Sequence, residues 1–379
     1  MKNNFLAYSS LFLLALGGLL VLGTVFAANA SLANGIVMGK LFWFHLAMAM
    51  FALGTIFYAL TNRKIHYIFS LPDVVILFSA GIVWLTYDRL LNPEPDKLLF
   101  AVQLVLLWFM LRVALTAFPA LKPLFLFFIL CTGLIEAIWG IEQLYGYKAS
   151  THHLFRLMGS FYNPGPYSGY LSVVLPIALS LIVGKDKKPT LLYWFGWVCL
   201  AAILVVLPAG MSRSAWVAAA VGCVYVGLPT DWLKMAWEKH SKWVIVALVV
   251  VILCLTIGLA GLYHLKKDSA DGRLLMWKIT GKAMLAHPLG VGLGGFPAAY
   301  AAMQAEYFSS GQASDTEKLV AGGPEYAFNE YLQIGVEQGI AGLTLFLLWI
   351  GFGLRRKENR GLQGRAIERQ TERNCGRTG

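Results

Sequence analysis

Apolar stretches recur near residues 5–27, 42–61, 73–88, 98–117, 122–144, 168–184, 191–208, 211–228, 243–264 and 329–354, most of them joined by short polar links. A helix needs about 20 apolar residues to cross ~30 Å of hydrocarbon. Lipid offers the backbone no hydrogen-bond partner, so a spanning segment must satisfy its own peptide groups, as a helix does. The pattern predicts an all-α polytopic membrane protein with about ten transmembrane helices. Composition agrees: 58% of the chain is apolar and 13% charged, against about 45–50% and a quarter in soluble domains. The run from Phe5 to Ala28 is too long for the apolar core of a secretory signal and reads as an uncleaved first helix.

One long polar interruption breaks the ladder. The chain therefore divides into nine helices over 1–264, a large loop over 265–328, a last transmembrane helix over 329–354 and a basic tail over 355–379. The formal net charge is +11, but the tail carries eight Lys/Arg against three Glu and so supplies five of those charges. Most of the rest sits in the links, where it reads as topology and not as a nucleic-acid surface. Arg63-Lys64, Arg112 with Lys122, Lys185-Lys187-Lys188, Lys234-Lys239-Lys242 and Arg355-Arg356-Lys357 fall on alternate links. The positive-inside rule then puts the N-terminus in the cytoplasm. The 265–328 loop and the 88–97 and 145–167 links fall on the far side, the periplasm of a bacterial inner membrane. Four of the five cysteines (Cys131, Cys199, Cys223, Cys254) lie in apolar segments, and Cys375 lies in the tail. None forms a ligand spacing, so they read as small buried hydrophobes.

Several constellations carry chemistry. Gly159-Ser160-Phe161-Tyr162-Asn163-Pro164 packs helix breakers before a span. It reads as an outer-surface turn, or as a lip beside a substrate cavity with Asn163 as its polar handle. Arg213, in Ser212-Arg213-Ser214, sits at a span end, either snorkelling to lipid phosphates or presenting its planar fork to a phosphate-bearing ligand. In the loop, Ser269 or Asp271 is expected to cap a helix running to about Ala286 that carries Arg273, Trp277, Lys278 and Lys282. Its Leu275, Ile279 and Ala283 mark an apolar face suited to the membrane interface. His287-Pro288 ends it, and Gly290-Val291-Gly292-Leu293-Gly294-Gly295 follows. That run offers backbone N–H groups to an anion but lacks the Gly-Lys-Ser/Thr of a P-loop. Asn329, Gln333 and Glu337, spaced at i, i+4 and i+8, form one polar stripe on the last helix. A carboxylate one or two turns into a span needs a reason. The adjacent pair His152-His153 reads as a surface feature, since neighbouring histidines do not share a helical face.

Taken in order, these pieces resemble the O-antigen ligase/polymerase superfamily of bacterial envelope glycosyltransferases. The resemblance rests on Gln143-Leu144-Tyr145-Gly146, Gly159-Ser160-Phe161-Tyr162-Asn163-Pro164, Ser212-Arg213-Ser214-Ala215-Trp216 and Arg273 with Trp277. It continues through His287-Pro288-Leu289-Gly290-Val291-Gly292, Asn329-Glu330-Tyr331-Leu332-Gln333 and Glu337-Gln338-Gly339, covering about 140–345. It implies transfer of a glycan from an undecaprenyl-diphosphate donor to lipid A–core, as a ligase does. The alternative is transfer to another carrier-linked repeat, as a polymerase does. Neither nucleotide nor metal is required, and inversion by direct displacement is expected. Arg213 and Arg273 would bind the diphosphate bidentately, with Lys282, Asn163, Asn329 and Gln333 in the substrate site. Many ligases place a histidine, assigned as base, just before the Asn-containing helix. Phe328 occupies that slot here, which leaves Glu337, Glu325 or His287 as the base. Relatives usually continue through further spans, whereas this chain has one span after its loop. Its tail reads as a cytoplasmic end or as a truncated or shifted frame. A transporter of lipid-linked glycan would call for broken helices in matching positions of two halves; the polarity here gathers on one side.

Overall fold

The computed structural model describes residues 2–29, 31–32, 34–62, 67–87, 95–150, 152, 155–183, 190–227 and 267–354, with five positions between 242 and 253. Among the described residues every regular element is a helix. The span near 243–264, save single positions, lies outside them. So do Arg63-Lys64, Lys185-Lys187-Lys188, Lys234-Lys239, Cys254, His153 and the tail from Arg355. The chain divides into two compact units, Met1–Tyr67 with Leu106–Lys267, and Ile68–Val105 with Asp268–Gly379.

Among the described residues six helices are long and apolar enough to cross a membrane. They are α1 (Lys2–Leu22, continued by a 3-10 turn Gly23–Phe26), α2 (Gly35–Thr61), α4 (Pro95–Ala117), α5 (Leu121–Tyr145), α6 (Pro164–Ile182) and α7 (Leu191–Ala209). Three further apolar helices are shorter: α3 (Leu71–Tyr87), α8 (Arg213–Gly227) and α13 (Gly339–Leu354). Of the ten spans expected, nine thus meet a helix, and six of those have full spanning length. Large apolar side chains such as Phe42, Phe78, Leu85, Trp194 and Val221 stay exposed, as suits surfaces that face lipid.

In the first unit α1 lies along α2, and α5, α6, α7 and α8 share a core that includes Leu130, Leu171, Val174, Cys199, Ile203 and Val206. Lipid removes the hydrophobic drive between helices, so close backbone approach at small residues has to supply it. A Cβ on Gly17 would stand 2.6 Å from Phe51 Cα, and one on Gly140 1.9 Å from the Tyr167 hydroxyl. Gly17 lets α2 seat directly on the backbone of α1, and Gly140 leaves room for the Tyr167 hydroxyl against α5.

The second unit contains α3, the start of α4, and α9 (Lys267–Ala286), α10 (Phe296–Ser309), α11 (Asp315–Leu319), α12 (Glu330–Glu337) and α13. Helix α9 is already helical at Lys267, so Ser269 and Asp271, expected as caps, fall inside its first turns. Its Leu275, Ile279 and Ala283 are fully buried and pack with Phe296, Tyr300, Tyr307 and Val336. The apolar face expected in the membrane interface is instead occupied by a protein core. Burying such side chains contributes roughly 1.5–3 kcal/mol each, and α10 sits where it can cover them.

The last apolar stretch, expected as one helix over 329–354, is broken at Gln338-Gly339 into α12 and α13. The Gly-rich run after α9 causes the break. Val291 N–H donates to Val336 O at 2.9 Å, Gly292 N–H to Glu337 O at 2.8 Å, and Ile340 N–H to Pro288 O at 3.0 Å. These bonds satisfy the carbonyls that α12 leaves open at its C-terminus and an amide that α13 leaves open at its start. The clasp is backbone on backbone. A Cβ on Gly290 would lie 2.5 Å from Glu337 O, and one on Gly339 2.4 Å from Pro288 O, with both glycines at positive φ.

Candidate functional site

The 157–163 segment of the first unit is moored by two side chains of α5. Gln143 Oε1 accepts from Met158 N–H at 3.0 Å and Gly159 N–H at 2.8 Å, and Glu136 Oε2 accepts from Ser160 N–H at 3.0 Å. Three consecutive amides, buried where water cannot reach them, thus each have an acceptor. Ser160 Oγ donates to Val25 O at 2.7 Å, and the Lys40 ammonium donates to the same carbonyl while lying 5.1 Å above the Phe161 ring. Glu136 is fully buried, and its second oxygen has no hydrogen-bond partner among the described residues. Asn163 Oδ1 accepts from Gly165 N–H at 2.9 Å, which makes it the N-cap of α6 with Pro164 at the first helical position. Its polar handle is therefore engaged in starting a helix. Tyr162 beside it is exposed, and His152 packs on Phe155 and Tyr162 at 4.7 and 5.4 Å. Arg213, half-buried, is the first residue of α8, after Met211 in a left-handed conformation.

The second unit gathers most of the remaining sequence-derived residues around Ala327, which is fully buried. Trp277 Nε1 donates to Ala327 O at 3.1 Å, and Ala327 N–H donates to Gln333 Oε1 at 3.1 Å. The Arg273 guanidinium stands 5.3 Å over the ring of Phe328. Asn329 is not part of a helical stripe but the N-cap of α12, accepting from Tyr331 N–H at 3.1 Å and Leu332 N–H at 3.3 Å. Gln333 donates to Glu337 Oε1 at 3.3 Å. The Glu337 carboxylate, 4% exposed, also faces the backbone amides of Gly294 and Phe296. The anion cradled by the Gly-rich run is therefore the chain's own carboxylate. Glu325 and His287 are exposed, one in the loop before α12 and the other just past α9.

Lys282 belongs to a neighbouring cluster. Its ammonium lies 4.4 Å from the Tyr307 ring, where Lys278 also sits at 4.6 Å. Lys278 donates to Tyr307 Oη at 2.6 Å and Glu317 Oε1 at 2.8 Å, and Glu317 completes a capping box with Ser314. The hydrogen bond from Lys278, with the Ser314 amide, pulls the Glu317 carboxyl down to about 2. Glu317 and Tyr307 in turn raise Lys278. This cluster ties α9 to α10 and α11.

Sequence reasoning did not single out Glu136, Lys40, Lys97, Tyr326 or the exposed ring of Phe328. Glu136 carried the same signal that picked out Glu337, a carboxylate within an apolar run. The others become visible only when the chain folds.

Residues 198–347 match the family model Wzy_C, described as O-antigen ligase. Over this stretch the chain is similar to the O-antigen ligase/polymerase superfamily, a membrane family whose activity is glycosyltransferase-like. No curated protein and no solved structure gives a match. The matched region holds Arg213, Arg273 and the whole arrangement around Ala327.

Proposed function

We propose that the chain is a glycosyltransferase of the bacterial inner membrane that moves a glycan from an undecaprenyl-diphosphate carrier to lipid A–core. In this reading the N-terminus is cytoplasmic, and the 265–328 segment works at the periplasmic surface. The observation that carries it is Arg273, a guanidinium set against an exposed ring in the loop that leads to the N-capped α12, within a stretch similar to O-antigen ligases. The leaving group is a lipid diphosphate, whose developing charge needs cations fixed in place before reaction. Arg273 serves that role through a planar fork that matches two phosphate oxygens, and Arg213 is the second candidate for it.

The acceptor hydroxyl then needs a base. Of the three candidates, Glu325 is exposed on the same loop as Tyr326 and Phe328 and is free to meet a substrate, whereas Glu337 is enclosed by Gln333 and the Gly-rich run. His287 is exposed but lies at the far end of α9 from Arg273. We therefore assign the base to Glu325, with direct displacement and inversion at the anomeric carbon. Asn163, Asn329 and Gln333 act by fixing the backbone around the site, and Lys282 by holding α9.

The test is deletion of the gene in its native host, followed by electrophoresis of envelope glycolipids and complementation with Arg213→Ala and Arg273→Ala. The ligase reading expects lipid A–core without glycan, carrier-linked polymer accumulating, and no rescue by either variant although both insert. Full rescue by both would sink it. Single repeats on the core without the long ladder would mean repeat-unit polymerisation instead.

A further inference from the structure

Phe328 combines two features that folding alone disfavours. The residue is 62% exposed, so burial returns little, and its backbone sits at φ +49°, a left-handed conformation unfavourable for an L-residue. Either glycine or asparagine would remove the strain and the exposed ring together. A strained residue persists where its surroundings over-determine it, and such residues cluster at ligand clamps. The surroundings here do so from both sides. Ala327 is pinned through its carbonyl by Trp277 and through its amide by Gln333, and Asn329 is fixed by capping α12. The ring is therefore aimed, not loose.

Two residues earlier, Tyr326 repeats the arrangement. The residue is 50% exposed and its ring is met by Lys97 at 6.0 Å, as that of Phe328 is met by Arg273 at 5.3 Å. Each ring thus has one cation beside it while much of its surface stays open. The exposed carboxylates Glu325 and Glu330 flank the pair, and Gly322-Gly323, also exposed, precede it. Charged groups at that density are costly against lipid tails. What fits an open aromatic face rimmed by cations and carboxylates is a sugar. The C–H face of a pyranose stacks on the ring, while its hydroxyls reach charged acceptors and donors at the rim.

We propose that Phe328 and Tyr326 form a sugar-stacking platform that holds a pyranose of the acceptor glycan beside Arg273. This inference rests on the glycosyltransferase reading for the word acceptor, but not for the stacking itself.

Two measurements on the full chain in nanodiscs test it. The first is calorimetric titration with deacylated core oligosaccharide. Phe328→Ala and Phe328→Gly are expected to weaken binding about tenfold, and Phe328→Trp to stay within about twofold of the parent. Equal binding by all four proteins, or no binding by the parent, would overturn the platform. The second is transfer kinetics with purified carrier-linked glycan and lipid A–core. The acceptor KM should rise about tenfold in Phe328→Ala while kcat holds within about twofold. A rise confined to the donor KM would mean that Phe328 only steadies Arg273, and the proposal would fall. Phe328→Gly also controls for folding: relief of the left-handed strain should raise its Tm, whereas a lower Tm would make the ring a packing residue. A parent that binds core oligosaccharide through Phe328 but transfers nothing would leave the platform standing and remove the enzyme reading.

Discussion

Two irregular segments, 157–163 in the first unit and 287–295 in the second, solve one problem in different ways. Each is a glycine-bearing stretch whose amides must be satisfied, and each is held by a buried carboxylate on a helix: Glu136 receives Ser160 N–H, and Glu337 faces the amides of Gly294 and Phe296. The first mooring is made by side chains alone, with Gln143 taking two further amides. The second adds a backbone clasp through Gly290 and Gly339. A side-chain mooring should tolerate isosteric exchange, because an amide oxygen accepts as a carboxylate oxygen does. A backbone clasp should tolerate none.

The largest effect should therefore come from Gly339→Ala. Its Cβ would meet Pro288 O at 2.4 Å from a backbone at φ +69°, and the left-handed conformation alone costs roughly 1–2 kcal/mol. Pro288 O cannot swing aside without losing its bond from Ile340 N–H, which ties α13 to this stretch. Thermal unfolding in detergent should show a Tm lower than in any other variant named below, with protease cleavage between 268 and 337. A Tm equal to the parent's would mean that the clasp is not rigid.

Gln143→Ala should follow. It leaves the Met158 and Gly159 amides without an acceptor, at roughly 1–3 kcal/mol for each buried donor, whereas Glu136→Ala leaves only Ser160. The expected order of Tm is Gln143→Ala below Glu136→Ala, with Gln143→Glu and Glu136→Gln near the parent. If Glu136→Gln fell as far as Glu136→Ala, the charge would matter beyond the hydrogen bond, and Lys40 and Lys148, whose fields reach Glu136, would be the next residues to change.

The same contrast explains what could be read from sequence. Spanning helices were legible because hydrocarbon thickness imposes a length and an apolarity that few other structures require. Arg273 and Trp277 were legible as neighbours because one helical turn separates them. The break at Gln338-Gly339 was not, because Ile340 onward continues the apolar run and only the distant Pro288–Gly292 stretch interrupts it. Asn329 looked like the top of a polar stripe because a capping residue and a first-turn residue share the same spacing. The α9 face of Leu275, Ile279 and Ala283 was legible as apolar, but period alone cannot say whether lipid or α10 covers it. Phe328 was marked only as standing in the histidine's slot, since neither its φ nor its exposure is written in residue type.

Smaller effects separate the two caps. Asn329→Ala and Asn163→Ala each remove a side-chain acceptor, at about 1 kcal/mol. Helix α12 has eight residues and leans on Asn329 for two amides, whereas α6 has nineteen and relies on Asn163 for one. Asn329→Ala should accordingly lower Tm more, and it should weaken core-oligosaccharide binding as well, because Asn329 fixes one side of Phe328. Equal Tm losses and unchanged binding would show that the ring's aim does not depend on the cap.

The smallest expected effect is the pH dependence of the Lys278–Glu317 pair in the second unit. Glu317, held down to about 2, contributes stability that is complete above the ordinary glutamate value of about 4.3. That contribution is lost as pH falls from there through about 2. Lys278, raised by Glu317 and Tyr307, contributes stability that is complete below the ordinary lysine value and is lost as pH rises from there through its raised one. Between those limits the pair should be flat. Both side chains are partly solvated, so salt screens them and the step is small. Tm measured from pH 5 to pH 2 should fall more steeply for the parent than for Glu317→Gln, and the gap between them should narrow at high salt. Parallel curves would mean that Tyr307 and the Ser314 capping box tie α9 to its neighbours without help from the charge.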